Sequence, residues 1–225
     1  MEWIDALERG TARFADVLAS GDLAAEVPTC PGWTLADLGE HVRWVHRWAA
    51  HAVTAGTPDG DTVGPGPERD ALVAGYRAAA ADLVALLRDT DPDAPAWTFG
   101  PDKVAGFWHR RQVHEVALHL YDALASQDAT GDWDVDPALA WDGVAEVVTV
   151  FYPRQVRLGR SDPLSAPVRL RADDLANHET MLATDVVAPE VLLEGTAADV
   201  LLTLWGRRRA DGEVAAVLER ARVTP

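Results

Sequence analysis

Glu115, His119 and Asp122 are three residues whose side chains could take part in a metal site. They lie in the segment 110–122, which lacks glycine and proline and includes good helix formers such as Ala117, Leu118 and Leu120, so we expect a helix there. At about 3.6 residues per turn, a glutamate and a histidine four positions apart point at the same spot. A helix can offer two ligands to a divalent metal in this way, with Asp122 supporting the histidine from one turn further on.

The spacing of Glu115 and His119 also has a simpler explanation, and the spacing alone favours that explanation. A solvated polar face often carries a weak Glu–His pair at this spacing. Against that alternative, Val104, Phe107 and Trp108 continue the same stripe one and two turns earlier. A stripe that runs from aromatic side chains into charged ones is typical of the lining of a cavity.

The composition narrows the classes of function. Of 225 residues, 48% are hydrophobic and nine are tryptophan, which is ample for a core. The net charge of −16 argues against binding to nucleic acid or to anionic membranes, because such binding relies on lysine and arginine. A single cysteine, Cys30, excludes an internal disulfide and a cysteine-rich zinc site. No apolar run approaches the roughly 20 residues of a membrane span, and the acidic N-terminus is unlike a signal peptide, so we expect a cytoplasmic protein.

The elements that must position these residues are four helices with apolar periodicity. Thr34 and Asp37 form a capping-box variant at the start of the second helix. His41 lies inside the apolar stripe of that helix, where a lone histidine is more often a core residue than a ligand, whereas His46 and His51 are interpreted as surface or rim residues. Four helices joined by loops predict an antiparallel bundle, in which facing helices can build a metal site. The predicted helices are 2–20, 35–56, 68–89 and 103–126.

The second half of the chain has a different pattern. The polar segment 127–134 marks a boundary, so that we predict one domain over 1–127 and another over 134–225. A helix over 137–158, disturbed late by Pro153, precedes three strand candidates, 167–172, 180–184 and 191–195. Thr196 caps a helix to 205, and a short helix covers 212–222. The fold class is therefore α+β, with a four-helix bundle followed by a small α+β domain.

Three blocks carry a resemblance to a known family. Residues 29–38, with the sequence Thr-Cys-Pro-Gly-Trp-Thr-Leu-Ala-Asp-Leu and followed by His41, resemble the opening of the mycothiol-dependent maleylpyruvate isomerase family. That family belongs to the larger group of DinB-like four-helix metalloproteins. The second block is Arg110-Arg111 with His114-Glu115, His119 and Asp122. The third, 195–207, is similar to the end of the family's sterol-carrier-like C-terminal domain.

The resemblance implies a divalent metal, usually zinc, with His41, Glu115 and His119 as its ligands and Asp122 behind them. Two histidines and a glutamate accept several divalent ions, so metals other than zinc are the alternative. Three protein ligands would leave an open position, as in catalytic zinc sites. The resemblance further implies a mycothiol-type thiol as cosubstrate. The thiol would either bring about the isomerisation of a small electrophile or be transferred to it. In the family's isomerase, the thiolate adds to the cis double bond of maleylpyruvate, and rotation and elimination give the trans product.

An anionic substrate would need cationic contacts. Arg207 matches the family's C-terminal arginine, although a basic end of the preceding helix is an equal alternative. Arg111 is a second candidate, equally able to act as the ion-pair partner of Glu115. We interpret Cys30 as a structural part of its turn. Four tryptophans are interpreted as walls of the site, namely Trp33, Trp44, Trp48 and Trp108.

The alternative function is that of a non-enzymatic metal-binding or small-molecule-binding protein, in which the second domain gives a carrier role.

Overall fold

Four helices of about twenty residues make up the first part of the fold. The structure is a computed structural model that describes residues 2–56, 68–183 and 185–225. The helices are α1 (Trp3–Ser20), α2 (Leu35–Ala55), α3 (Arg69–Asp89) and α4 (Gly106–Ala125). Their bounds agree with the predicted ones to within one residue, except that α4 begins three residues later than expected.

The start and the end of α2 are determined locally. The Thr34 hydroxyl accepts a hydrogen bond from the Asp37 N–H at 3.3 Å, and the Asp37 carboxylate accepts one from the Thr34 N–H at 2.9 Å. Hydrogen bonds donated to the Asp37 carboxylate by the N–H and the hydroxyl of Thr34 lower the pKa of Asp37, so the cap stays charged. Gly56 ends the helix with φ +67°, a left-handed conformation that glycine adopts without strain. The predicted capping box is confirmed.

The directions of α1 and α3 follow from contacts near their ends. Arg69 at the start of α3 donates to the carbonyl of Leu18 near the end of α1. Arg88 at the end of α3 pairs with Glu8 nearer the start of α1. The two helices therefore run antiparallel.

The same reasoning gives the direction of α2 against α4. The ring of His41 lies 5.2 Å from that of His119, and the ring of Trp48, two turns later, lies 5.1 Å from that of the earlier Trp108. The contacting residue numbers increase along α2 as they decrease along α4, so these two helices are antiparallel as well. This pairing brings the histidine of α2 to the polar stripe of α4.

The helices α1 and α4 run in the same direction. Trp3 at the start of α1 lies against His114, and the Asp22 N–H just after α1 donates to Gln127 just after α4. The bundle is thus antiparallel across α1–α3 and α2–α4, and the α+β fold class with its N-terminal four-helix bundle is confirmed. Its centre is filled by fully buried apolar side chains at helical spacing, namely Leu7, Phe14, Leu18, Leu38, Val42, Leu72, Leu83, Leu87 and Trp108.

The second part of the chain contains a three-stranded sheet of order β2-β1-β3. The strands are β1 (Val168–Ala172), β2 (Glu179–Leu182) and β3 (Val191–Gly195). At the centre, Leu170 faces Thr180 across an antiparallel pairing and Leu193 across a parallel one. Alternate residues of β1 are buried, as the period of two predicted. The outward-facing Arg169 pairs with Glu179 and Glu190.

The helices of this second part are α5 (Pro137–Glu146), α6 (Tyr152–Arg157), α7 (Ala197–Leu204) and α8 (Gly212–Leu218). A π-helical turn, Val147–Phe151, joins α5 to α6, so the predicted long helix continues but widens just before Pro153. Proline lacks the N–H that would bond the previous turn, and its ring crowds the carbonyl four residues earlier. The disturbance attributed to Pro153 is therefore confirmed.

Contacts divide the chain into two units, Met1–Asp134 and Val135–Pro225. Over the described ranges, none of the helices has the length and apolar character needed to cross a bilayer.

Candidate metal centre

Three donor groups meet between α2 and α4. His41 comes from α2, and Glu115 and His119 come from successive turns of α4. Glu115 Oε1 lies 3.3 Å from His119 Nε2 and 3.7 Å from His41 Nε2. Ligands bound tetrahedrally to zinc at about 2.1 Å are roughly 3.4 Å apart, which is close to these two distances. All three donor atoms lie within 4.8 Å of one another.

Asp122 lies behind His119. Its Oδ2 is 2.9 Å from His119 Nδ1, and the residue is fully buried. An ionised carboxylate only accepts hydrogen bonds, so Nδ1 carries the proton of this bond. The other ring nitrogen, Nε2, is therefore the one directed at Glu115. A buried carboxylate that orients a histidine ligand is common at protein metal sites, so Asp122 adds to the fit of these donors to a metal ion.

Arg111 is ion-paired with Glu115. Its guanidinium contacts Oε2, while Oε1 faces the two histidines, and only 4% of the Arg111 side chain is exposed. Of the two roles considered for Arg111, the ion pair is the one observed, and contact with a substrate stays a prediction. The pair leaves the other oxygen of Glu115, Oε1, directed at the two histidines.

The charges in the cluster are strongly coupled. Burial by itself would raise the pKa of Glu115, but Arg111 and His119 hold it well below its usual value, so the carboxylate is anionic. Burial lowers the pKa of His119, whereas Glu115 and Asp122 raise it, with the result that the pKa is about 9. The metal-free cluster therefore holds a proton where a cation would sit.

The turn before α2 reaches the same place. Thr29 Oγ1 donates to Asp122 Oδ1 at 2.5 Å, and Cys30 Sγ lies 3.6 Å from Asp122 Oδ2. No sequence pattern predicts the contact of Thr29 with Asp122, because it joins residues far apart in the chain. Cys30 thus takes part in the attachment of the turn, in line with the structural role expected of it.

A second set of donors, Cys30, His119 and Asp122, also lies within 4.8 Å among the described residues. Hydrogen bonds already account for its short distances, since Asp122 accepts from both Thr29 and His119. In the set of His41, Glu115 and His119, two imidazole nitrogens and a carboxylate oxygen from two helices instead lie within 4.8 Å of one another, and neither histidine nitrogen is the one bound to Asp122. We therefore take the latter as the candidate metal centre.

Tryptophan rings surround His41. The ring of Trp33 lies 4.8 Å from it and that of Trp44 lies 6.4 Å away. Trp48 stacks on Trp44 at 5.8 Å. These three tryptophans are partly exposed and agree with the predicted wall, whereas Trp108 is fully buried behind Trp48 and belongs to the core.

The interpretation of His46 as a surface or rim residue was wrong. His46 is fully buried, and its Nδ1 lies 2.8 Å from Gln112 Oε1 on α4. The reason is that α2 packs on both α3 and α4, so more of its circumference is covered than the apolar stripe alone indicates. Burial lowers the pKa of His46 to about 4, and the ring is neutral at physiological pH.

Arg207 lies in the second unit, just after α7. Its Nη1 donates to the carbonyl of Trp205 at 2.8 Å, and the guanidinium lies 5.7 Å from the centre of the Trp205 ring. These contacts fit the basic end of a helix that was considered as an alternative. A contact between Arg207 and substrate stays a prediction.

Comparison with known proteins adds to this geometry. A family model described as the mycothiol maleylpyruvate isomerase N-terminal domain matches residues 4–124. No curated protein sequence matches the chain. Two crystal structures of mycothiol-dependent maleylpyruvate isomerase, one of a histidine-to-alanine mutant, are similar to it with a TM-score of 0.67. Each is 18% identical, with 89% of this chain and 86% of that chain covered, which indicates a shared fold.

Proposed function

Because the chain belongs to the mycothiol maleylpyruvate isomerase N-terminal domain family, we propose that it is a divalent-metal enzyme. It would use a low-molecular-weight thiol of the mycothiol type to isomerise or S-conjugate a small, anionic electrophile. The observation that carries the proposal is the convergence of His41, Glu115 and His119 on one point between α2 and α4.

These three residues would hold the metal, with zinc as our first expectation. A bound divalent ion lowers the pKa of a coordinating thiol and so supplies a thiolate at neutral pH. Two charged residues next to the proposed ligands hold them in a state suited to metal binding. Arg111 keeps Glu115 anionic and occupies Oε2, and Asp122 keeps His119 turned with Nε2 towards the centre.

The thiol would react with an electrophilic carbon of the substrate. Addition to a cis double bond removes the barrier to rotation, and elimination then returns the thiol and leaves the trans isomer. If the carbanion of the adduct instead takes up a proton, equivalent to the one the thiol lost, the product is the conjugate. One site therefore supports isomerisation or conjugation, and the electrophile decides between them.

An anionic substrate requires a cation, for which Arg111 and Arg207 are the candidates. Arg111 already pairs with Glu115 and is almost fully buried. Arg207 donates to the carbonyl of Trp205, so contact of either arginine with the anionic group is a prediction carried over from the family resemblance.

The experiment measures thiol consumption by the untagged, metal-loaded protein against a panel of electrophiles that includes maleylpyruvate. His41→Ala removes a proposed ligand, and His51→Ala, a partly exposed histidine on the same helix, is the matched control. We expect turnover in the wild type and the control and none above background in His41→Ala.

Two results would contradict the proposal. Stoichiometric metal binding without thiol consumption across the panel would favour the non-enzymatic binding or carrier protein. Equal turnover in His41→Ala and wild type would show that His41 does not hold the catalytic metal.

A further inference from the structure

The turn formed by residues 27–34, between α1 and α2, is held by its own backbone. The Val27 N–H donates to the Trp33 carbonyl at 2.8 Å, and the Trp33 N–H donates to the Cys30 carbonyl at 3.0 Å. Gly32 has φ +83°, which only glycine adopts readily. Side chains on this turn therefore project in fixed directions.

Side chains on one side of the turn form hydrogen bonds with Asp122. Thr29 donates to Oδ1 at 2.5 Å, while His119 uses Oδ2 at 2.9 Å. The two oxygens of one carboxylate are thus held by different partners, and Asp122 is fully buried between them. Cys30 adds a weak S–H contact to Oδ2 at 3.6 Å. Rotation of the carboxylate would break both strong bonds at once, which fixes the plane that His119 faces.

The other side of the turn contacts the second histidine. The ring of Trp33 lies 4.8 Å from that of His41 with an interplanar angle of 61°. The rings of His41 and His119 in turn lie 5.2 Å apart and nearly perpendicular. One rigid turn therefore reaches His41 directly and His119 through Asp122, although the two histidines come from different helices.

We propose that the 27–34 turn positions the metal centre and that Thr29 is its principal positioning residue. By donating to Asp122, Thr29 fixes the carboxylate that holds His119 with Nε2 towards Glu115. The effect on metal binding rests on the proposed function, whereas the effect on the His119 ring does not. A purely structural alternative is that Thr29 only attaches the turn to α4.

Thr29→Val tests the proposal, because it removes the hydroxyl and keeps the shape of the side chain. Thr29→Ser keeps the hydroxyl, and Thr11→Val removes a buried hydroxyl that donates within α1. The dissociation constant for zinc is measured by competition with a chromophoric chelator. Loss of an orienting partner weakens metal binding by about 10- to 100-fold, and we expect Thr29→Val at the lower end, about tenfold. Thr29→Ser and Thr11→Val should bind as the wild type does.

The absorption spectrum of the cobalt-loaded protein separates positioning from stability. We expect Thr29→Val to change the ligand-field bands, because the His119 ring is no longer held in one orientation, and Thr29→Ser to restore them. A lower unfolding temperature of Thr29→Val with unchanged affinity and spectrum would overturn the proposal. If Thr29→Val does not fold, Thr29→Ala serves in the same assays.

Crystal structures of the metal-free wild type and variants test the effect of Thr29 on the His119 ring without a bound metal. We expect the His119 ring to be rotated or to occupy several orientations in Thr29→Val and to be wild-type-like in Thr29→Ser. An unchanged ring in Thr29→Val would overturn the positioning role. If the wild type took up no metal, the proposed function would fail, and this comparison would still decide the role of Thr29.

Discussion

Raising the pH should destabilise the metal-free protein through His119. Its pKa is about 9 in the folded chain, because the neighbouring carboxylates outweigh the effect of burial, whereas an unfolded histidine titrates near 6.5. The folded pKa is the higher one, so the stabilisation is fully present below pH 6.5 and is lost as the pH rises through 9. At about 1.4 kcal/mol per pH unit, the loss between these limits is about 3 kcal/mol.

The assay is denaturant unfolding in the presence of a chelator at pH values from about 6 to 9.5. His46 does not interfere, because its folded pKa of about 4 confines its effect to the range below 6.5. His119→Gln removes the titrating group, and His51→Gln is the control on α2. The difference between the wild-type and His119→Gln curves should shrink by about 3 kcal/mol across the range. Parallel curves would refute the claim that Glu115 and Asp122 hold a proton on His119.

Three further predictions concern the same cluster. Metal binding must displace the His119 proton, so at pH 7 calorimetry in buffers of different ionisation enthalpy should show about one proton released per metal, with affinity weakening about tenfold per pH unit below 9; uptake without proton release would contradict this. Asp122→Asn should weaken zinc binding about 10- to 100-fold in chelator competition, and an unchanged constant would exclude its orienting role. Arg111→Met should destabilise the metal-free protein by about 3–5 kcal/mol in denaturant unfolding, because the buried charge of Glu115 loses its partner. A loss below about 1 kcal/mol would mean that the two histidines compensate the carboxylate.

The features that the sequence predicted well are local ones. Thr34 and Asp37 cap α2 through residues three apart, and Glu115 and His119 share a face because they are one helical turn apart. Hydrophobic periodicity similarly placed the helices and strands. The partnership of His41 with α4 is not local, and only the resemblance to a family pointed to it.

The features that the sequence missed depend on tertiary packing. The bond from Thr29 to Asp122 joins a turn before α2 to the end of α4. His46 is buried because two helices pack against α2. The residue pattern of α2 alone does not indicate how many helices cover it. The identity of the Glu115 partner was open for a similar reason, since Arg111 could equally have faced a ligand.

The most direct test of the account is the metal content of freshly purified, untagged protein by elemental analysis. We predict about one divalent ion per chain in the wild type and in His51→Ala, and a content near zero in His41→Ala and in Glu115→Gln. A folded wild-type protein that contains no divalent metal and takes none up on reconstitution, or a His41→Ala variant that retains the full content, would contradict the claim that His41, Glu115 and His119 form a metal centre.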